Sequence, residues 1–126
     1  MRIYQEEVGS WMHECFPPEV VSDKVERNFR FLEEALELCQ SINMTKEEAI
    51  QLVNYVFNRS KGQPTQEVGG VMVTLAALCN ASDLDLQDCA DAELDRVFQP
   101  EVMAKVRAKH LAKPIGVRQA LPGEIK

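Results

Sequence analysis

The chain has 126 residues, 45% of them hydrophobic and 27% charged, which suits one domain with its own core and is too short for two ordinary domains. This composition excludes a largely disordered chain, and no apolar run reaches the roughly 20 residues that a membrane span requires. The N-terminus lacks a basic-then-apolar signal pattern, so we expect a cytoplasmic protein.

The net charge of −6 is distributed unevenly along the chain. Residues 1–101 carry 8 basic and 19 acidic side chains, a net −11, whereas residues 102–126 carry 6 basic and 1 acidic, a net +5. Because residues 1–101 are so acidic, they should repel nucleic-acid polymers, and an anionic partner should be small or bridged by cations. We therefore expect no nucleic-acid or membrane partner, and a divalent metal is the natural mediator of anion binding.

Four cysteines are scattered along the chain and form no C-x-x-C pair: Cys15, Cys39, Cys79 and Cys89. Neither histidine pairs with a cysteine at a spacing typical of zinc sites. We interpret the cysteines as reduced core residues in preference to metal ligands or disulfides.

Apolar residues recur with a period near 3.6 and no segment alternates, so the sequence predicts an all-α helical bundle of five to six helices. A first helix covers roughly residues 6–15 and stops before a proline pair that cannot continue it. Ser22 is the predicted cap of a second helix that runs to about Ile42. Its predicted inward stripe consists of Val25, Phe29, Leu32, Leu36 and Cys39.

Thr45 begins the third helix with a capping box, in which its side chain accepts from the N–H of Glu48 while the Glu48 carboxylate reaches back. This helix runs toward Ser60 and ends before Gly62 and Pro64.

Thr65 is the predicted cap of a fourth helix over about residues 66–80, which is nearly all apolar. A single chain of this length has too few other residues to cover such a helix on every side. We therefore expect a homodimer or homotetramer.

Asp85 caps a fifth helix, and Pro100 suits the first turn of a sixth that runs to about Lys113. The prolines and glycines that follow predict an extended tail over residues 114–126, which leaves residues 1–113 as a single domain. No internal repeat is apparent.

Three glutamates interrupt the apolar pattern of the second helix. Glu33 and Glu37 are four residues apart and Glu34 and Glu37 three apart, so their carboxylates project from one side of the helix. A hard divalent cation such as Mg²⁺, which takes oxygen ligands, would offset their mutual repulsion. The alternative is a solvated face that Arg27 and Arg30 partly neutralise, and spacing alone does not separate the two.

Glu67 is a second acidic element, placed early in the fourth helix and followed by Gly69 and Gly70. Interior glycines cost about 1 kcal/mol each relative to alanine, so they indicate that a neighbouring helix or a ligand comes close. A carboxylate in so apolar a helix more often has a function or an ion-pair partner than neither.

The segment FLEEALEL, followed after a helix by EVGGVMVTLAAL, resembles the MazG-like all-α nucleoside triphosphate pyrophosphohydrolases. Their signature is EExxE and then ExxD on two antiparallel helices, and the similarity covers about residues 22–113. The family's aspartate falls on Gly70 here, so Glu67 is retained and the fourth acidic ligand is missing. Water or a phosphate oxygen of the substrate could take that position.

The resemblance implies hydrolysis of a nucleoside triphosphate to its monophosphate and pyrophosphate, with Mg²⁺ or Mn²⁺ as cofactor. It assigns the metal to Glu33, Glu34, Glu37 and Glu67. Glu34 or Glu37 would also serve as the catalytic base toward a metal-bound water that attacks the α-phosphorus. Members of this family are dimers or tetramers, and some select purine (guanine) nucleotides.

Lys105, Lys109 and Lys113 are spaced four apart on the predicted sixth helix and form one basic stripe. This stripe could hold the β- and γ-phosphates that the metal leaves exposed. The alternative is a solvated basic face that balances an acidic neighbour.

For the nucleobase, Trp11 and Phe16 are candidate stacking surfaces, and Asn28 and Asn80 are amides able to read hydrogen-bonding edges. An aromatic residue near an amphipathic helix is, however, more often part of the core. Both interpretations therefore stay open.

The sequence is also compatible with two other functions. A non-catalytic helical module that binds nucleotide or protein, having lost the acid at Gly70, predicts binding without turnover. A helical interaction domain with merely solvated acids predicts no Mn²⁺ binding. Replacing Glu34 and Glu37 by glutamine separates these possibilities, because only a metal-binding protein should then lose Mn²⁺ affinity.

Overall fold

A computed structural model describes the backbone of residues 2–112 and the side chains of residues 3–110. Over these residues the chain forms seven α-helices and no strand, which confirms the predicted all-α fold. The helices are α1 Arg2–Cys15, α2 Pro18–Val21, α3 Lys24–Ser41, α4 Lys46–Phe57, α5 Pro64–Ala81, α6 Leu86–Val97 and α7 Pro100–Ala112. The predicted tail over residues 114–126 lies outside the described residues.

The proline pair ends α1 as predicted, but it also begins α2, which the sequence analysis missed. Pro18 occupies the first turn of α2, where a missing N–H costs nothing. Ser22 is the C-cap of α2 and donates its hydroxyl to the Pro18 carbonyl, so its predicted role as the cap of α3 is wrong. Asp23 has that role instead, because its Oδ1 accepts from the N–H groups of Val25 and Glu26 at 3.1 and 3.2 Å.

The capping box at the start of α4 is confirmed, since both reciprocal hydrogen bonds between Thr45 and Glu48 are present. This helix ends at Phe57, earlier than predicted. The fourth predicted helix begins with Pro64 in its first turn, so Thr65 lies inside α5 and does not cap it. Asp85 caps α6 as predicted, its Oδ1 accepting from the N–H of Asp88 at 2.8 Å.

Two helix–turn–helix corners share one construction, a repeat that the sequence analysis did not find. In each corner an 18-residue helix ends, a residue with positive φ follows, and a capped 12-residue helix begins. The residue after the positive φ returns its N–H to the carbonyl of a cysteine, at 3.0 Å in the first corner and 2.9 Å in the second. Equivalent residues lie 40 positions apart, namely Cys39 and Cys79, Asn43 and Asp83, Met44 and Leu84, and Thr45 and Asp85.

The chain divides into two compact units. The first unit comprises the described parts of residues 1–34 and 91–126, and it contains most of the buried side chains. Its buried residues are Met12, Cys15, Glu26, Leu94 and Met103. The Trp11 indole N–H donates to the Val97 carbonyl at 2.9 Å, and the Arg107 guanidinium donates to the Glu14 carbonyl at 2.7 Å, which joins α1 to α6 and to α7.

The second unit, residues 35–90, buries only Cys79 among its hydrophobic side chains. Eleven of its large apolar residues are 40% to 83% exposed, and we call these eleven the exposed apolar set. This set consists of Leu36, Ile50, Leu52, Val53, Tyr55, Val56, Phe57, Val68, Val71, Val73 and Leu84. Taken alone, the second unit has almost no hydrophobic core.

The predicted inward stripe of α3 is likewise not buried within a single chain, so that prediction is wrong for the isolated molecule. Val25, Phe29, Leu32 and Leu36 are 36% to 53% exposed. A helical pattern identifies which face is apolar but does not identify what covers that face.

The cysteines are all free thiols, and two of them occupy the predicted core positions. Cys15 and Cys79 are buried, whereas Cys39 is half-buried and Cys89 is exposed, contrary to its predicted core position. Burial raises the pKa of the Cys15 thiol, an effect that the nearby Arg107 opposes.

Candidate functional site

The three glutamates of the EExxE motif lie on α3, as predicted. Their spacing places them on neighbouring positions of the helix surface. Glu33 is half-buried, while Glu34 and Glu37 are exposed. The three carboxylates therefore differ in their access to water.

Glu33 is already ion-paired within its own helix. Arg30 Nη1 donates to Glu33 Oε1 at 2.9 Å, and Arg30 Nε lies 3.5 Å from Glu26 Oε1. Glu26, Arg30 and Glu33 thus form one ion-pair ladder along α3, with spacings of four and three residues. Arg30 was predicted to have a general neutralising role, and no role was predicted for Glu26, although Glu26 lies four residues before Arg30.

Glu26 is the buried member of this ladder, with a side chain 10% exposed. Arg27 Nη2 also approaches its Oε1, at 3.9 Å. The Nε atoms of Arg27 and Arg30 are buried without a hydrogen-bond acceptor. The 3.5 Å approach of Arg30 to Glu26 is therefore an electrostatic contact and not an aligned hydrogen bond.

Arg27 connects Glu26, the buried end of the ladder, to Met12 in α1 and to Phe16, the residue that follows α1. Its guanidinium lies 5.9 Å from the centre of the Phe16 ring, and its Nη1 lies 3.8 Å from the Met12 sulfur. Desolvation lowers the pKa of Arg27, and the Glu26 carboxylate partly offsets that effect. The ladder is thus anchored in the packed part of the first unit.

Glu34 lies in the electrostatic environment of Arg96. Arg96 donates two hydrogen bonds to Glu93, at 2.8 and 2.9 Å, and these raise the pKa of the guanidinium, with a smaller contribution from Glu34. The same hydrogen bonds lower the pKa of Glu93. For Glu37, by contrast, no ion-pair partner lies within 4 Å among the side chains of residues 3–110.

Glu67 is exposed in the first turn of α5. Its carboxylate occupies the space that a Cβ atom at position 62 would fill, so the glycine at that position permits a close approach. A Cβ atom added at Gly69 or Gly70 would meet nothing within 4 Å. Within the described chain, these two glycines therefore do not accommodate a neighbouring helix.

Carboxylate oxygens are the donors that Mg²⁺ and Mn²⁺ prefer, so the donor chemistry of the four predicted ligands suits these cations. Among the described side chains, however, no group of three or more His, Cys, Asp or Glu residues is placed to hold a metal ion. The assignment of a metal ion to Glu33, Glu34, Glu37 and Glu67 therefore stays a prediction.

The predicted phosphate-binding lysines are only partly described. Lys105 and Lys109 are exposed on α7. Lys113 lies outside the described residues. The described pair remains accessible to an anion on the helix surface.

Trp11 is half-buried and packs edge-on against Phe16, with ring centres 6.1 Å apart. Phe16 in turn packs edge-on against His110, with ring centres 5.2 Å apart. The indole N–H is engaged by a backbone carbonyl, which gives Trp11 a structural role. Asn28 and Asn80, the two predicted base-reading amides, are exposed on α3 and α5.

No protein-family model, curated protein or solved structure matches this chain significantly. The resemblance to the MazG-like enzymes therefore rests on the motif residues. No helix among those described is both long enough and apolar enough to span a bilayer.

Proposed function

We propose that this chain is a subunit of a cytoplasmic nucleoside triphosphate pyrophosphohydrolase. The reaction would convert a nucleoside or deoxynucleoside triphosphate and water into the monophosphate and pyrophosphate. The observation that carries the proposal is the group of three glutamates within two turns of α3, at Glu33, Glu34 and Glu37. Clustered carboxylates repel one another, so their presence favours a cationic ligand or substrate complex.

The proposed cofactor is Mg²⁺ or Mn²⁺, and its proposed ligands are the three α3 glutamates and Glu67. Among the described side chains no group of three or more His, Cys, Asp or Glu residues is placed to hold a metal ion, so in this proposal assembly or substrate binding completes the ligand group. Glu34 and Glu37 are the proposed catalytic carboxylates, and both are accessible to water.

The proposed active form is a homodimer or homotetramer, and the exposed apolar set supports this. Fully burying one Val, Leu or Phe side chain stabilises a protein by about 1.5–3 kcal/mol, and the second unit leaves eleven large apolar side chains exposed. Symmetric self-association is the commonest way in which such apolar surfaces are buried, because a second copy of the chain is always available.

The remaining roles concern substrate binding. Lys105 and Lys109 are proposed to contact the terminal phosphates, together with Lys113. Asn28 and Asn80 are proposed to contact the base, and Trp11 could contribute only a ring surface because its N–H is engaged. Selectivity for purine, in particular guanine, nucleotides is part of the proposal.

The test is pyrophosphate release from each ribo- and deoxynucleoside triphosphate, with Mg²⁺ and with Mn²⁺. Glu37→Gln removes one of the two exposed carboxylates of the motif, and Glu47→Gln is a matched control in the first turn of α4. Turnover that Glu37→Gln abolishes and Glu47→Gln retains is the expected result. Turnover equal in all three proteins would refute the role of the motif.

A second candidate is a non-catalytic helical module that binds nucleotide or protein. The observation that favours it is the missing acid at Gly70, together with the lack of a three-ligand group among the described side chains. It predicts calorimetric binding of a nucleotide or protein partner without pyrophosphate release from any triphosphate.

A further inference from the structure

The second unit contains two helices, α4 and α5, that carry almost no charge. From residue 49 to residue 82 the sequence has only three charged side chains, Arg59, Lys61 and Glu67. They lie in the connection between the two helices or in the first turn of α5. The remainder of α5 and all but the first turn of α4 are therefore uncharged, and exposed apolar surfaces of this kind mark sites of protein association.

α4 is apolar around more than half of its circumference. Six of its twelve residues belong to the exposed apolar set, all of them between Ile50 and Phe57. At about 100° per residue, these six cover about 220° around the helix axis. An amphipathic surface helix has an apolar stripe of about 100°, so α4 requires cover on more than one side.

α6, the helix equivalent to α4 in the second corner, has packing partners that α4 lacks. α6 buries Leu94, and its last residue, Val97, accepts a hydrogen bond from Trp11 of α1. α4 has the same length and also begins with a capped turn, yet none of its side chains is buried in the described part of the chain.

The exposed apolar area of α4 and α5 equals that of one side of a stable interface. Nine members of the exposed apolar set lie on these two helices, and they are 40% to 83% exposed. A residue of an unfolded chain exposes about 160 Å², so the nine present roughly 800 Å². A stable interface of standard size buries about 800 Å² on each partner.

We propose that α4 and α5 fold against the same two helices of a second copy of this chain, and that they have no stable tertiary structure in a monomer. A symmetric contact brings like parts of one surface together, where charges of one sign would repel. The chain has a net charge of −6, and these two helices are the surface from which that charge is absent. The inference rests on the self-association in the proposed function and is independent of the proposed reaction.

The first unit does not share this dependence on a second copy. It has its own buried side chains, and hydrogen bonds from Trp11 and Arg107 join α1 to the end of α6 and to α7. Dissociation should therefore release α4 and α5 while α1 and α7 keep their structure.

The test is amide hydrogen exchange by mass spectrometry on the full chain, with light scattering to give the molecular mass. In the associated parent protein, amides of α4 and α5 should exchange about a hundredfold or more slowly than in an unfolded chain. Val53→Asp should be a monomer in which this protection falls below about tenfold, because isolated helices of this length are marginal in water. Amides of α1 and α7 should stay within about tenfold of the parent protein.

Lys61→Asp is the matched control, since it changes the charge in the exposed connection between the same two helices. It should retain the mass and the exchange pattern of the parent protein. A second measurement decides the case if Val53→Asp unfolds throughout. About hundredfold dilution of the parent protein should lower its Tm by about 5 °C or more, because dissociation and unfolding are then one step.

A folded monomer would overturn the inference, whether it is shown by parent-like exchange in monomeric Val53→Asp or by a parent Tm that does not change on dilution. A monomeric parent protein whose α4 and α5 exchange freely would also overturn it, and would indicate that another protein covers these helices. Pyrophosphate release by a folded monomer would sustain the proposed reaction and refute this inference. Self-association with the expected exchange pattern, without turnover of any triphosphate, would do the reverse.

Discussion

Trp11→Phe should lower the free energy of unfolding by about 1–3 kcal/mol, because the indole joins α1 to the last residue of α6. Its N–H donates to the Val97 carbonyl at 2.9 Å in a half-buried environment. A net hydrogen bond contributes about 0.5–1.5 kcal/mol, and a buried acceptor left without a donor costs about 1–3 kcal/mol. Phenylalanine keeps an aromatic ring for the edge-on contact with Phe16, so most of the loss should come from the hydrogen bond.

The assay is urea denaturation followed by circular dichroism at 222 nm, at one protomer concentration so that any self-association affects all proteins alike. Fluorescence is unsuitable because the chain contains one tryptophan, the residue being replaced. Tyr55→Phe is the matched aromatic control, since Tyr55 is 59% exposed and its ring contact with Arg59 survives the change. We expect the control to change stability by less than about 0.5 kcal/mol.

Parent-like stability of Trp11→Phe would refute the structural role of the indole hydrogen bond. If nucleotide affinity fell at the same time, Trp11 would be a base-binding residue, as its aromatic character first suggested. A stability loss with unchanged nucleotide affinity supports the structural assignment.

Other substitutions test capping, assembly and the missing acid. Thr45→Ala removes the oxygen that accepts from the Glu48 N–H at 3.2 Å and should cost about 1 kcal/mol in urea denaturation, whereas parent-like stability would contradict the cap. The Thr45 N–H lowers the pKa of Glu48, so this carboxylate stabilises the fold at neutral pH and loses that effect as the pH falls through its lowered pKa. In Glu48→Gln this acidic part of the pH dependence of Tm should disappear, and an unaltered profile would exclude Glu48 as its source. Val53→Asp places a charge in the exposed apolar set and should reduce the proposed oligomer to monomers in light scattering, whereas Lys61→Asp should not; an intact Val53→Asp oligomer would place the interface elsewhere. Gly70→Asp introduces the aspartate of the ExxD pattern where a Cβ meets nothing within 4 Å, and on the proposed function it should tighten Mn²⁺ binding about tenfold relative to Gly70→Ala. Equal affinities would exclude position 70 from the site.

Local signals in the sequence predicted the helices well, because caps and prolines act within a few residues. The capping box at Thr45, the cap at Asp85 and the start of α7 at Pro100 are all confirmed. The cap of α3 was misplaced by one residue, since Ser22 and Asp23 are both good capping residues and only the position of α2 separates them.

Burial could not be predicted in the same way, because it depends on what packs against a helix. The apolar stripe of α3 was correctly recognised as apolar, but Leu32 is 53% exposed in a single chain. The repeated corners escaped notice because their likeness is limited to short segments around Cys39 and Cys79. What the two corners share is a backbone hydrogen bond, which many different residue types can form and which the sequence therefore predicts poorly.

The candidate site was predicted as a set of four carboxylates, one of which, Glu33, is ion-paired within its own helix. Spacing alone indicated that Glu33, Glu34 and Glu37 share one side of α3, and it also placed Arg30 within reach of Glu33. The structure shows Arg30 paired with Glu33 and places Glu26 as the buried anchor. The ligand group that would complete a metal site cannot be predicted from one helix, since its members come from different elements.

The most direct test of the central proposal is the identity and stoichiometry of the products formed from a nucleoside triphosphate. Purified parent protein and Glu37→Gln are incubated with each triphosphate and Mg²⁺ or Mn²⁺, and the products are separated by ion-exchange chromatography. The proposal predicts one monophosphate and one pyrophosphate per triphosphate consumed, in the parent protein alone. Formation of diphosphate and orthophosphate, or no product from any triphosphate, would contradict it.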